Sequence, residues 1–180
     1  RVDSITFDEA NPNFKAHKSY ITNAAGDTLL LVMPATTGTF RLEDKAITKV
    51  GTGALAGISK LEAVEMPYVT ELGSYAFAGS DRLRNVTLGK LTKIGDYAFY
   101  RTSISELPEL SGVSAIGSYA FAYCDALTAV TIPGSVTTIG EWAFYNCDAL
   151  TTVTILEGVT TIGEYAFYDC DALTTVTIPC

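Results

Sequence analysis

Apolar residues recur along this chain at a fixed interval of 22 or 23 residues. A period between about 20 and 50 residues is typical of a stack of one small structural unit. The pattern therefore predicts a repeat solenoid that forms one domain over residues 1–180, with a partial repeat in 1–45 and tandem repeats in 46–180. The positions that return unchanged 23 residues later are Leu127, Val130, Ile132, Ile139, Gly140, Ala143, Phe144 and Cys147.

Within each repeat, one segment alternates with period two. Val64 and Met66 share one face of a predicted strand, while Ala63 and Glu65 point the other way. Stacked strands of this kind form a parallel sheet, and eight of them would extend over roughly 34 Å at the usual strand spacing. We expect one face of this sheet to pack inward and the other to meet solvent.

Two further landmarks keep the same period. Glycine recurs at Gly51, Gly73, Gly95, Gly117, Gly140 and Gly163. An Ala-Phe pair follows each glycine from Gly73 onward, and we expect these phenylalanines to form the core.

The N-terminal part departs from the repeat. Residues 4–7 match the strand of a repeat, and residues 8–14 have the Asn and Pro content of a loop. Residues 19–22 and 28–33 are apolar runs joined by a glycine-bearing segment, which predicts a β-hairpin inserted into one coil. Pro108 lies in the strand part of an irregular repeat at residues 104–110, where we expect a local bulge because proline removes a backbone donor. The chain ends without a polar capping repeat, so we also expect end-to-end self-contacts.

Charge and hydropathy exclude several partners. The net charge is −8 with 12 Lys and Arg residues spread along the chain, which argues against nucleic acid and against an anionic membrane surface. No apolar run approaches the roughly 18 residues that a membrane span needs, so we expect no membrane insertion. The first residues do not begin a signal segment, so we expect a mature fragment.

Chemistry-bearing residues are few. Cys124, Cys147 and Cys170 share one repeat position, and we expect buried thiols. A disulfide is disfavoured because parallel side chains on adjacent coils rarely adopt the dihedral it needs, and a metal site because no CxxC pair or histidine cluster accompanies them. Cys180 has no partner in this ladder and could form an intermolecular disulfide. His17 is the single histidine, so no catalytic constellation is visible. Asp125, Asp148 and Asp171 suit turns rather than a calcium site. We therefore predict no enzyme activity, cofactor or metal.

Two surfaces are candidates for binding. The first is the solvent face of the predicted strands, which offers mostly small polar side chains and few of the Trp, Tyr or Arg anchors that dominate interfaces. Its predicted contact residues are Thr39, Arg41, Glu65, Asn85, Thr87, Glu106, Thr131, Thr152, Thr154, Thr175 and Thr177. The second is an aromatic flank that either stacks on itself or recognises a ligand, formed by Tyr75, Tyr97, Tyr119, Trp142 and Tyr165.

The run from Leu127 to Pro133, followed by Thr138 to Phe144 and then Cys147, resembles the BspA-type bacterial leucine-rich repeat. The resemblance implies a horseshoe or superhelix with the parallel sheet on its concave side and short turns or strands on its convex side. It also implies a secreted or surface-attached bacterial protein, since studied relatives bind host matrix or plasma proteins or aid adhesion.

Two main hypotheses follow. The first is a non-enzymatic adhesion module that binds a protein of the host matrix or of another cell surface, with a glycan as the other ligand class. The second is a structural spacer that projects another domain. Regular threonines such as Thr152 and Thr154 make ice binding a third, lesser hypothesis.

Overall fold

The computed structural model describes residues 11–179, which form a solenoid of short strands and turns without a helix. The repeat solenoid predicted from the sequence is therefore confirmed. The strands, in chain order, are β1 (Phe14–Ala16), β2 (Tyr20–Asn23), β3 (Thr28–Val32), β4 (Gly38–Arg41), β5 (Lys49–Val50), β6 (Leu61–Met66), β7 (Glu71–Leu72), β8 (Asn85–Leu88), β9 (Lys93–Ile94), β10 (Ala115–Ile116), β11 (Ala129–Ile132), β12 (Thr138–Ile139), β13 (Thr152–Ile155), β14 (Thr161–Ile162) and β15 (Thr175–Thr177).

The longer strands form two separate parallel sheets, β4-β6-β8 and β11-β13-β15. Like residues face each other across coils: Val64 pairs with Val86, and Val130 pairs with Val153. The sequence predicted one continuous sheet with only a bulge near Pro108, and this prediction was wrong. Residues 105–110 form no strand at all, so the sheet is interrupted between β8 and β11.

The continuous element is a nine-stranded sheet on another side of the coil. Its strands β5, β7, β9, β10, β12 and β14 contain two residues each, and each of these six pairs in parallel with its neighbours. The predicted N-terminal hairpin is β2 and β3, which lead this sheet because β3 pairs with β5. Asn23 closes the hairpin turn by accepting backbone N–H bonds from Gly26, Asp27 and Thr28.

One strand in this region was not predicted. Phe14–Ala16 forms β1, antiparallel to β2, where the sequence suggested the end of a loop. The predicted strand at residues 4–7 lies outside the described residues.

The core is a column of phenylalanine rings with aliphatic side chains around it. Phe77, Phe99, Phe121 and Phe144 are fully buried, and successive rings stack with centroids 5.1–5.2 Å apart. Phe167 continues the column in the last coil. The predicted core role of these residues is thus confirmed.

The recurring glycine lies where the backbones of successive coils approach each other closely. A Cβ atom on Gly95 would lie 2.6 Å from the backbone N of Ser74, and one on Gly117 would lie 2.6 Å from the backbone N of Asp96. No side chain fits at such distances. Glycine at this position therefore lets the backbones stack closely enough for the Gly95 N–H to donate to the Leu72 carbonyl of the preceding coil.

Candidate functional site

The outward-facing side chains of β4, β6, β8, β11, β13 and β15 form a surface that we call the long-strand face. Burial alternates along these strands except in β15, where all three residues are exposed: in β11, Val130 and Ile132 are buried while Ala129 and Thr131 are exposed. The same alternation places the other predicted contact residues outward, and of these only Glu106 lies outside a strand. They are Thr39, Arg41, Glu65, Asn85, Thr87, Thr152, Thr154, Thr175 and Thr177.

Charge on the long-strand face is concentrated in its first sheet. Arg41 and Glu65 face each other across β4 and β6, and two hydrogen bonds of 2.7 and 3.1 Å join the guanidinium to the carboxylate. The hydrogen bond from Arg41 lowers the pKa of Glu65, and the same bond raises the pKa of Arg41. Both side chains are exposed, so the pair adds little to stability. A ligand that used either residue would have to compete with the other.

The second sheet of this face is uncharged. Thr131, Thr154 and Thr177 lie in one register across β11, β13 and β15, and Thr152 faces Thr175 beside them. The surface therefore presents rows of methyl and hydroxyl groups with neither a cation nor a carboxylate.

Two cavities flank the interruption between the sheets. One has a volume of about 400 Å³, and its lining includes Glu106, Glu109 and Thr131. The other has a volume of about 250 Å³, and its lining includes Asn85, Thr87 and Glu106. The fold thus brings four of the predicted contact residues to one place on the long-strand face: Asn85 and Thr87 of the first sheet, Thr131 of the second, and Glu106 between them.

The predicted aromatic flank is a continuous stack. Its ring centroids are 4.6, 4.7, 5.8 and 4.3 Å apart in order along the chain, and interplanar angles do not exceed 19°. Most ring faces are covered by a neighbouring ring, so ring edges and polar tips remain for contact. This geometry disfavours the stacking of a sugar on the middle of the column, because that contact needs an open face.

All five residues of this flank adopt a left-handed backbone conformation, with φ between 56° and 59°. Gly53 occupies the same repeat position in the first full coil, with φ of 67°. Left-handed backbone costs a residue with a side chain about 1 kcal/mol relative to glycine. The stack of rings compensates for this strain, since aromatic pairs contribute about 0.5–1.5 kcal/mol each.

A second group of tyrosines lies beside this stack and was not predicted. Tyr100, Tyr123 and Tyr145 contact each other edge to face at 5.1–5.4 Å, and Tyr168 continues the row. The available signal was the recurrence of tyrosine just after the flank position, three residues on at Tyr100, Tyr145 and Tyr168 and four residues on at Tyr123. Arg101 lies over the rings of Tyr100 and Tyr123.

The cysteines form hydrogen bonds between successive coils. Cys124 and Cys147 are fully buried and Cys170 is half-buried, all three as free thiols. Each thiol donates to the carbonyl of a core phenylalanine at 3.1–3.3 Å. Burial raises the pKa of Cys124 to about 12, so its thiol stays protonated at neutral pH. A hydrogen bond with Cys170 and burial both raise the pKa of Cys147.

The remaining candidates for chemistry stand apart from one another. His17 stacks on Tyr20 with ring centroids 4.2 Å apart. Partial burial, and then the charge of Asp148, raise the pKa of Asp125. Within residues 11–179, no group of three or more His, Cys, Asp or Glu side chains could hold a metal ion. No helix in the described part of the chain is long and apolar enough to cross a membrane.

The model of the BspA type leucine-rich repeat region, which comprises six copies of the repeat, matches residues 39–124 and 92–180. The chain belongs to this family. The BspA-type resemblance inferred from the repeat motif is therefore confirmed, and the solenoid of stacked parallel strands is the leucine-rich repeat fold. Among curated proteins, no match was found.

Solved structures of bacterial proteins share the solenoid fold of this chain. A leucine rich cell surface protein from Faecalibacterium prausnitzii superposes with a TM-score of 0.72 and is 27% identical, over 92% of this chain and 45% of that protein. A leucine-rich repeat protein from T. pallidum has a TM-score of 0.70 and 20% identity, over 94% of this chain and 91% of that one. A third, from Bacteroides ovatus, has a TM-score of 0.66 and 21% identity, over 97% and 53% of the two chains. The chain spans about half the length of the first and third proteins.

Proposed function

We propose that this chain is a non-enzymatic protein-binding module of a bacterial surface or secreted protein, and that its ligand contacts the long-strand face. The observation that carries the proposal is the open, in-register sheet surface. Parallel sheets are usually covered on both faces, whereas among residues 11–179 no element packs on this one. The surface location is supported by family membership and by the cell surface protein of F. prausnitzii to which the chain is similar.

The chemistry of the face supports a protein ligand bound through many weak contacts. Threonine rows offer hydroxyl groups for hydrogen bonds and methyl groups for apolar contact, but no large anchor residue. Affinity per coil is therefore low, and repeated contacts along the solenoid would have to add up. Adhesion proteins that present many copies on a cell can use such a surface.

A structural spacer is the second candidate function. It is favoured by the threonine rows, which lack large anchor residues. It is also favoured by the hydrogen bonds from Arg41 to Glu65, because they already engage the Arg41 guanidinium on this face. In this case the coils would hold another part of the protein at a distance, and the long-strand face would have no ligand.

Binding of the purified chain to immobilised fibronectin, fibrinogen and a glycan panel separates the two functions. The test variant carries Thr131→Lys, Thr154→Lys and Thr177→Lys, which place three cations on adjacent coils of the long-strand face. The matched control carries Ala115→Lys, Thr138→Lys and Thr161→Lys, three positions in register on β10, β12 and β14. Saturable binding lost only in the test variant supports the binding module. Absence of binding in all three proteins supports the spacer, and equal loss in both variants points to non-specific charge effects.

A further inference from the structure

The interruption of the long-strand face gives that face its most distinctive shape. Residues 105–110 leave the sheet between β8 and β11, and the two cavities described above open on either side of them. Both cavities share Glu106 and Leu107 as a common wall. The backbone of one coil therefore forms a ridge with a cavity on each side.

The larger cavity, which we call the acidic cavity, combines two carboxylates with an apolar lining. Glu106 and Glu109 are exposed at this cavity, and no Lys, Arg or His is among its lining residues. A hydrogen bond from the backbone N–H of Ser111 holds the Glu109 carboxylate and lowers its pKa, so Glu109 is ionised at neutral pH. The apolar part of the lining consists of Leu107, Pro108, Leu110, Ala129 and Pro133.

This combination is complementary to a long cationic side chain. The methylene groups of a lysine or arginine pack on apolar surface while the charged head meets a carboxylate. Its volume of about 400 Å³ lies within the range of small-ligand sites.

The smaller cavity, which we call the arginine cavity, has a mixed polar lining. Arg84 and the polar side chains of Asn85, Thr87 and Ser105 line it together with the shared Glu106. They offer one cation, one carboxylate and several further hydrogen-bonding groups, which suit an amide side chain because an amide both donates and accepts hydrogen bonds.

The spacing of the two cavities fits an extended peptide. One cavity lies between β8 and the ridge and the other between the ridge and β11, so the two cavities are roughly one strand spacing, about 5 Å, apart. In an extended chain, residues two apart point to the same side at a separation of about 6.5 Å. Two such side chains can reach over the ridge into the arginine cavity and the acidic cavity.

We propose that the ridge at residues 105–110, with its two cavities, recognises an extended peptide segment of a partner protein. An amide side chain of that segment, asparagine or glutamine, enters the arginine cavity, and a basic side chain two positions further along enters the acidic cavity. This inference rests on the proposed protein-binding function and names the site and the chemistry of the ligand. The peptide crosses the coils along the solenoid axis rather than extending a sheet.

The probe is a capped peptide of about seven residues, mostly threonine and valine, with one asparagine placed two positions before one lysine. A second peptide has the asparagine and the lysine exchanged. Titration of isotope-labelled protein followed by NMR reports both affinity and site. We expect the probe to shift the amide signals of residues 105–110 and of Ala129 to Thr131. We expect the exchanged peptide to bind at least about fivefold more weakly, roughly 1 kcal/mol.

Two variants complete the test. Glu109→Gln keeps an acceptor for Ser111 but removes a charge from the acidic cavity, and we expect it to weaken binding about threefold to tenfold. The matched control is Glu157→Gln at an exposed glutamate in the turn after β13, which should leave affinity unchanged. Added salt should weaken binding of the probe.

Several results would overturn the proposal: no amide shifts with either peptide, equal affinity of both, or unchanged affinity in Glu109→Gln. If the chain nevertheless binds a matrix protein and loses this binding in the threonine-to-lysine variant, the result supports the binding module and contradicts the peptide site. If the chain binds neither peptide nor matrix protein, both proposals fall.

Discussion

Thr102 and Cys124 occupy the same position in successive coils and share one acceptor. The Thr102 hydroxyl donates to the Phe99 carbonyl at 2.9 Å, and the Cys124 thiol donates to the same oxygen at 3.3 Å. Ser80 fills this position one coil earlier and bonds the Leu55 carbonyl at 2.7 Å. The repeat therefore needs a small buried donor at this position, and the cysteine ladder is one way to supply it.

The buried thiol of Cys124 makes the free energy of unfolding fall at alkaline pH. The pKa of Cys124 is raised from 9.0 to about 12 by burial, so the folded state holds the proton more tightly than the unfolded state. Its contribution to stability is complete below pH 9 and is lost as the pH rises through the folded pKa. We expect Cys124→Ser to weaken this dependence by up to about 1.4 kcal/mol per pH unit, measured as the free energy of unfolding in urea at increasing pH.

Cys170→Ser serves as the control for this experiment. It removes a half-buried thiol and leaves Cys124 in place, so the alkaline loss that Cys124 causes should persist. Identical slopes for Cys124→Ser and the unmodified chain would contradict the prediction.

The aromatic flank predicts an unusual order of substitutions. Tyr119 has φ of 56° and stacks on Tyr97 and Trp142. Tyr119→Ala loses both ring contacts and keeps the backbone strain, whereas Tyr119→Gly loses the same contacts but relieves the strain. We expect the glycine variant to be more stable than the alanine variant by about 1 kcal/mol, as measured by urea denaturation.

Ser114 provides the comparison, because it is exposed and is not among the residues with positive φ. There we expect the ordinary order, in which Ser114→Ala is at least as stable as Ser114→Gly. The same order at both positions would show that the ring stack does not hold a strained backbone.

Close contact between coils makes one class of glycine irreplaceable. A Cβ atom on Gly95 would lie 2.6 Å from the Ser74 backbone N and 2.7 Å from the Gly73 carbonyl carbon, and neither backbone atom can move aside without separating the coils. We expect Gly95→Ala to cost about 3 kcal/mol or more. Gly53→Ala has open space but φ of 67°, so it should cost only about 1 kcal/mol. Equal losses in thermal unfolding would argue against this account.

The repeat and the alternation of apolar and polar residues within it were sufficient to predict the solenoid, because every coil buries apolar side chains at the same repeat positions. Val64, Val86 and Val130 face inward for one reason, the burial of apolar surface between strands. The interruption at residues 105–110 was underestimated, because Pro108 removes only one donor and the loss of pairing extends along the whole segment. The left-handed backbone of the aromatic flank was also missed, although Gly53 at the position of Tyr75 was a usable signal.

The candidate site was also predictable only in part from the sequence. Alternation was enough to place Thr131, Thr154 and Thr177 on one face, since side-chain direction follows from period two. The cavities beside Glu106 could not be predicted, because they arise from how the irregular coil leaves the sheet, which depends on three-dimensional packing.

Thr22 offers a substitution that should raise stability. Its side chain is fully buried in β2, and its hydroxyl has no hydrogen-bond partner among the described residues. A buried hydroxyl without a partner costs about 1–3 kcal/mol, whereas valine has nearly the same shape without the polar group. We expect Thr22→Val to increase the free energy of unfolding by about 1 kcal/mol. Thr102→Val is the matched control, because that buried hydroxyl bonds the Phe99 carbonyl and its loss should destabilise by about 1 kcal/mol. A loss of stability in Thr22→Val would mean that its hydroxyl has a partner in the folded protein.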